Sequence, residues 1–194
     1  MNIRDYIIVS DTHSGCGMAL CPPQFDLVDK GSYVASPIQK QIWQYWTTDI
    51  KEWIPYITQG RPYGVIHNGD AMDYVHHRSV SQISHNILDH HLIFKIVMDP
   101  LLDKAKEFYM LRGTEAHSGP SSKEEELLAR YMGAIARDNQ YARYELDLEI
   151  EGFLVNFMHH IGVSNRNNSE LTAIAAELHE IRQERLKWKK PVPH

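Results

Sequence analysis

An Asp and a His one residue apart, Asp11 and His13, follow the short apolar run Tyr6-Ile7-Ile8-Val9. On an extended segment, residues two apart point to the same side, so this pair can reach one ion together. Similar endings recur along the chain. A second run, Tyr63-Gly64-Val65-Ile66-His67-Asn68, ends in Gly69-Asp70, and a third, Glu107-Phe108-Tyr109-Met110-Leu111, leads into Arg112-Gly113-Thr114-Glu115-Ala116-His117. A fourth, Phe153-Leu154-Val155-Asn156-Phe157-Met158, ends in His159-His160. Carboxylate oxygen and imidazole nitrogen together suit Mn, Fe, Zn or similar divalent ions, with no thiolate required. Singly, each feature is weak, since D-x-H arises by chance and Asp after Gly is ordinary turn chemistry. The signal is their repetition after four strand-like runs.

The intervening chain must hold these ends together. Ser14 to Ala35 is irregular and rich in Gly and Pro, either a lid over the Asp11–His13 end or a floppy surface loop. Ser36-Pro37-Ile38-Gln39 carries the signature of a capping box with Pro in the first turn. Beyond it Ile38, Ile42, Trp46, Ile50, Trp53 and Ile57 repeat at helical spacing, widened by Trp43 and Ile54, and read as core packing. A second helix is predicted from about Val80 to Lys106, kinked or split at Pro100, with His91 toward the core and His90 at the edge. Ser122-Lys123-Glu124-Glu125 reads as another capping box. Tyr141 to Ile150 alternates as one half-exposed strand, and Glu151-Gly152 turns it into the fourth run as a hairpin. A last helix, 170–190, carries Leu171, Ile174, Leu178, Ile181 and Leu186, with a basic end that suits the helix dipole. Alternating strands and helices followed by a hairpin predict an α/β layered fold with a mixed sheet flanked by helices, whose strand ends gather ligands.

Composition narrows the field. The 194 residues suffice for a single domain, 1–194, and the net charge of −5 argues against a broadly basic nucleic-acid binder. Twelve His suit metal chemistry. No run approaches the roughly 20 apolar residues of a membrane span, and the amino terminus has no signal-peptide core, so a cytoplasmic protein without membrane partners is expected. Cys16 and Cys21 then read as two reduced loop thiols.

The succession D-x-H, G-D-x-x-D (Gly69-Asp70-Ala71-Met72-Asp73), a Gly-to-His loop and a strand-end His resembles the calcineurin-like metallophosphoesterase superfamily, in a divergent, phage-type branch. The resemblance implies a phosphoesterase with two divalent metal ions (Mn, Fe, Zn or Mg) that hydrolyses a phosphodiester or phosphomonoester through a metal-bridging hydroxide. Nucleic acid or nucleotides are the favoured phosphorylated substrates. By motif position Asp70 bridges the two ions, Asp11 and His13 hold the first, and His159, or alternatively His160, holds the second. His117 serves as the general acid or as an electrostatic partner for the phosphoryl group, and Asp73 orients its loop; outside the motifs, Arg112 and His76, or His77, which follows the same loop, are candidate substrate contacts.

Two departures bear on that implication. The family's G-N-H is here Gly113-Thr114-Glu115-Ala116-His117, so Glu115, or Thr114 through its hydroxyl, would have to supply the missing oxygen ligand. No G-H-x-H follows, and the chain stops at His194 where that strand would begin, which implies truncation and weak metal occupancy. An impaired or inactive scaffold of the same fold is the alternative reading.

Overall fold

The computed structural model describes residues 3–74, 80–160 and 170–193. Three of the four apolar runs become neighbouring strands: β1 (Asp5–Val9), β4 (Tyr63–Asn68) and β5 (Glu107–Leu111). With the short β6 (Ala142–Arg143) they form a parallel sheet in the order β1-β4-β5-β6. Continuous apolar sequence is what a strand buried on both faces requires. Accordingly β4, in the interior of the sheet, is buried along nearly its whole length, whereas Ile8 on the edge strand β1 is exposed.

Alternation along the strands sorts side chains onto two faces. Ile7, Val65, Phe108, Met110 and Ala142 face a core built with Ile54 of α1 (Pro37–Thr58), Phe94, Met98 and Leu101 of α2 (Ile87–Leu102), and Leu128 of α4 (Lys123–Tyr131), which follows the one-turn helix α3 (Glu115–Ser118). On the other face Ile66, Tyr109 and Leu111 pack against Leu146 and Leu148 of the antiparallel hairpin β7 (Glu145–Ile150) and β8 (Phe153–Met158). The protein is therefore a mixed α/β structure: helices, a parallel sheet, then a hairpin layer. No helix among the described residues is long and apolar enough to cross a membrane.

Several local expectations change once packing enters. The stretch 14–35 is neither lid nor floppy loop. It folds into β2 (Gln24–Asp26) and β3 (Ser32–Val34), and Cys21, Phe25 and Ala35 join Ile93 and Val97 of α2 in a second core cluster. Both cysteines are buried and unpaired with each other. The capping box at Ser36 forms as expected, and the buried Gln39 also donates to Ala19 O at 2.8 Å, tying the hairpin segment to α1.

On α1 Ile54 is buried and Trp43, Trp46, Ile50 and Ile57 pack against the cores as expected, whereas Ile38, Ile42 and Trp53 are exposed because the buried line turns through Gln39 and Thr58. The second helix starts at Asn86, not near Val80, because the backbone of 81–83 bonds to 15–17 instead (Gly17 N to Ser81 O 2.7 Å, Ile83 N to Gly15 O 2.7 Å). Pro100 lies in its last turn and does not divide it. The histidine assignment reverses: His90 is fully buried and His91 only half-buried.

Tyr141–Ile150 is two strands, β6 in the parallel sheet and β7 in the hairpin. The last helix, α5 (Glu170–Lys187), leaves Ile174, Leu178 and Leu186 exposed; what anchors it is Arg185, buried against Asp147 and Glu145 of β7.

Phe94 sits between the sheet and α2 with its ring against His67 at 5.0 Å between centroids. Truncation to Ala leaves a cavity in a rigid layer and should cost roughly 3–5 kcal/mol. Urea denaturation of Phe94→Ala measures this, and a loss below about 1 kcal/mol would contradict the packing described.

Candidate metal centre

Parallel pairing places the ends of β1, β4 and β5 side by side, and the segments that follow are stitched together by backbone hydrogen bonds. Asp11 N donates to Gly69 O at 3.1 Å, His13 N to Asp70 O at 3.1 Å, and Ser14 N to Ala71 O at 3.0 Å. The Asp11–His13 segment is not extended, as the two-residue alternation had assumed. Asp11 (φ 56°), His13 (φ 42°) and Asp70 (φ 52°) all occupy the left-handed region, where a non-glycine residue costs of order 1–3 kcal/mol. The curl still brings the first pair together, with His13 Nε2 at 3.7 Å from Asp11 Oδ1.

Asp70 is buried at the centre. Its Oδ1 accepts from Thr114 N at 2.7 Å and from the Thr114 hydroxyl at 3.2 Å. Gly113 has to be glycine: a Cβ there would lie 2.0 Å from Asp70 Oδ1. Gly69, at φ 85°, similarly leaves room for the ring of His159.

His159 reaches the site from β8, outside the parallel sheet. Its Nδ1 lies 2.6 Å from the carbonyl oxygen of Asn68. A carbonyl only accepts, so Nδ1 carries the proton of the neutral ring and Nε2 presents a lone pair. That lone pair faces Asp70 Oδ2, another acceptor, at 3.1 Å. Two acceptors at this separation repel unless a cation or an added proton lies between them. A ligating His whose second nitrogen is pinned by a backbone carbonyl is the usual arrangement around a metal.

Among the described residues, two sets of three side chains offer ligand atoms within 4.8 Å of one another: His13, Asp70 and His117, and Asp11, Asp70 and His159. Asp70 belongs to both. The mixed oxygen and nitrogen donors fit a first-row divalent cation, and a shared carboxylate fits a pair of them.

Of the expected residues, Asp11, His13, Asp70, His117 and His159 converge. His160 is exposed and belongs to neither set. The grouping differs from the expected one in joining Asp11 with His159. Glu115 does not fill the place of the family Asn: it is exposed, and its carboxylate accepts from Ser121 N at 2.9 Å. The Thr114 hydroxyl is turned to Asp70. Arg112 is turned to protein partners. Its guanidinium is committed to Ala142 O, Ser121 O and Glu126, at 2.8, 2.8 and 3.2 Å. His76 and His77 lie outside the described residues.

Asp73 takes the orienting role expected of it. Its Oδ1 holds His117 Nδ1 at 2.8 Å while Oδ2 accepts from Gln82. Burial raises its pKa, but the bonds from His117 and Cys16 outweigh this and hold it below the usual carboxylate range. Nδ1 of His117 thus carries a proton, and Nε2 is the nitrogen left to serve a ligand.

Three supporting residues carry no motif and were missed. His67, fully buried on β4, bonds Thr12 Oγ1 through Nε2 at 3.0 Å. Thr12 Oγ1 in turn donates to Ala71 O at 3.0 Å. Glu125 of α4 accepts from the backbone N–H groups of Ala71 and Gly113. For His67 the available signal was a polar residue inside an apolar run. For Glu125 the signal was misread: the Ser122–Glu125 pattern is not a capping box, because Ser122 donates to Gly113 O and caps nothing with its side chain.

No family model, no curated protein and no solved structure matches this chain. The functional reading rests on the residues and their geometry.

Burial, with the neighbouring His159 and His13 adding to it against the pull of Asp11, pushes the His67 pKa down to about 3. In the unfolded chain the ring titrates near 6.5. The unfolded state therefore takes up the proton first. The stability present above pH 6.5 is lost as pH falls from there toward 3, by about 1.4 kcal/mol per pH unit for this group. Between pH 6 and 4 the stability of His67→Gln should fall less steeply than that of the wild type. Parallel slopes in urea titrations would show that the ring is not held neutral.

Proposed function

We propose that this protein is a metal-dependent phosphoesterase of calcineurin-like type. The observation that carries the reading is the sharing of Asp70 between two donor sets that otherwise have no member in common. Asp70 would bridge two divalent cations, with Asp11 and His159 on one side and His13 on the other. Cations so held acidify a water and neutralise charge on a phosphoryl group.

The remaining work falls to the chain itself. Asp70 is fixed by Thr114, whose N–H and hydroxyl hold Oδ1 while Oδ2 faces His159. His117 stands at the rim, its ring edge-on to His13 at 4.3 Å between centroids. Asp73 holds its Nδ1–H, which aims Nε2 outward. As the bond from phosphorus to the leaving oxygen breaks, a proton on Nε2 passes to that oxygen. The motif order supports phosphate esters as the substrate class.

The test is turnover of bis-p-nitrophenyl phosphate and p-nitrophenyl phosphate with Mn²⁺, which also separates diesterase from monoesterase activity. Asp70→Asn removes the bridging carboxylate's charge and one of its two oxygen donors, and should lower kcat/KM by about 100-fold or more, along with Mn²⁺ affinity in calorimetry. Wild-type protein that binds Mn²⁺ yet turns over neither ester would establish a binding module instead.

His117→Gln distinguishes proton donor from ligand. The expected outcome is a kcat loss of roughly 10²–10⁴-fold with Mn²⁺ affinity retained. Loss of affinity with little change in kcat at saturating metal would reassign His117 to the metal.

A further inference from the structure

Glu125 is a carboxylate with no solvent exposure, and among the described residues it has no ion-pair partner. An uncompensated buried charge is costly, so its retention at one place in the fold needs a reason. Its two oxygens are used separately. Oε1 accepts from Ala71 N at 3.0 Å and Oε2 accepts from Gly113 N. Ala71 directly follows Asp70, and Gly113 directly precedes Thr114, whose N–H and hydroxyl hold the Asp70 carboxylate.

The peptide of Ala71 is bonded at both ends. Its N–H goes to Glu125, and its carbonyl accepts from Thr12 Oγ1 and from Ser14 N. One side chain thus fastens the segments after β4 and β5 to each other and, through Ala71, to the segment after β1. It also sets a second anion behind Asp70, and the repulsion between the two is strong enough to add to burial in raising the pKa of Glu125.

We propose that Glu125 is a positioning residue for the metal centre, fixing the spacing of the Asp70 and Thr114 segments and adding negative charge behind them that favours a divalent cation in front. The inference rests on the reading of the site as a metal centre. Glu125 acts through Asp70 and touches no ligand itself.

Glu125→Gln keeps the shape, removes the charge and replaces one acceptor with a donor, so either Ala71 N–H or Gly113 N–H loses its partner. Calorimetric titration with Mn²⁺ should show affinity lower by about 10–100-fold. Amide exchange at Ala71 and Gly113, followed by NMR without metal, should accelerate beyond that of neighbouring core amides.

Leu128→Ala is the control. It destabilises the same helix from its buried face and leaves the carboxylate in place. It should keep the wild-type Mn²⁺ affinity. If Glu125→Gln does not fold, Glu125→Asp retains the charge, but one methylene shorter it cannot span both amides, and an affinity loss beyond that of Leu128→Ala is expected there too.

Wild-type affinity in the folded Glu125 variant, or equal weakening in the Leu128 control, overturns the assignment and leaves the metal centre standing. Absence of Mn²⁺ binding by the wild type overturns both, and that arm alone reveals it.

Discussion

Val9 lies opposite His67, and His67 opposite Met110, in three parallel strands paired without a bulge. Parallel pairing forces the chain to leave each strand at the same edge, and it forces each connection to cross the sheet before the next strand begins. Three separate stretches of sequence, about 10–14, 69–73 and 112–117, therefore emerge within a few ångströms of one another. The site depends on this register. A shift by one residue in any of these pairs would move its segment along the edge and turn every side chain of the strand to the opposite face.

Register alone brings backbones together, not donor atoms. The last ångströms are supplied by strain held in place by hydrogen bonds. Three non-glycine residues of the centre adopt positive φ, each at a cost that would relax in an open loop. They do not relax, because the ladder from Asp11, His13 and Ser14 to Gly69, Asp70 and Ala71 over-determines both strand-end segments. Beneath that ladder Thr12 and Glu125 bond the two ends of the Ala71 peptide, and His67 holds the Thr12 hydroxyl. Backbone groups of this ladder are paired, which gives the region its rigidity. Three buried side-chain atoms beside it, Ser14 Oγ, His67 Nδ1 and Asn68 Oδ1, have no hydrogen-bond partner among the described residues.

The ligand-bearing residues could be read directly from the chain because apolar runs ending in Asp or His are a local pattern. Asp11, His13, Asp70, His117 and His159 all follow such runs closely, and the register does the rest. The hairpin turned at Glu151-Gly152 was equally local, both residues taking positive φ as a tight turn needs. What local pattern could not show is how a polar side chain is spent. Arg112, Glu115 and Glu125 lie within fourteen positions of each other, and their spacing suggested a substrate contact, an oxygen ligand and a helix cap. Their partners come from Ala142, Ser121 and Ala71, and only the folded chain reveals which one supports Asp70. The same reason divided the apolar stripes. On α1 Trp43, Trp46, Ile50, Ile54 and Ile57 pack on the core as their spacing implied while Ile38, Ile42 and Trp53 do not, because the side that is covered depends on neighbours far away in sequence.

The hairpin stands apart from the sheet it covers. Beyond apolar packing, its link to the site runs through Asn68, which donates to Met158 O and accepts from His159. The centre is consequently divisible. His13, Asp70 and His117 all ride on segments that leave the parallel sheet and need nothing from the second layer, whereas the trio of Asp11, Asp70 and His159 exists only while that layer is seated. The two halves are thus unequal partners: one draws all its donors from the frame of the sheet, and the other is completed only where two layers of the fold meet.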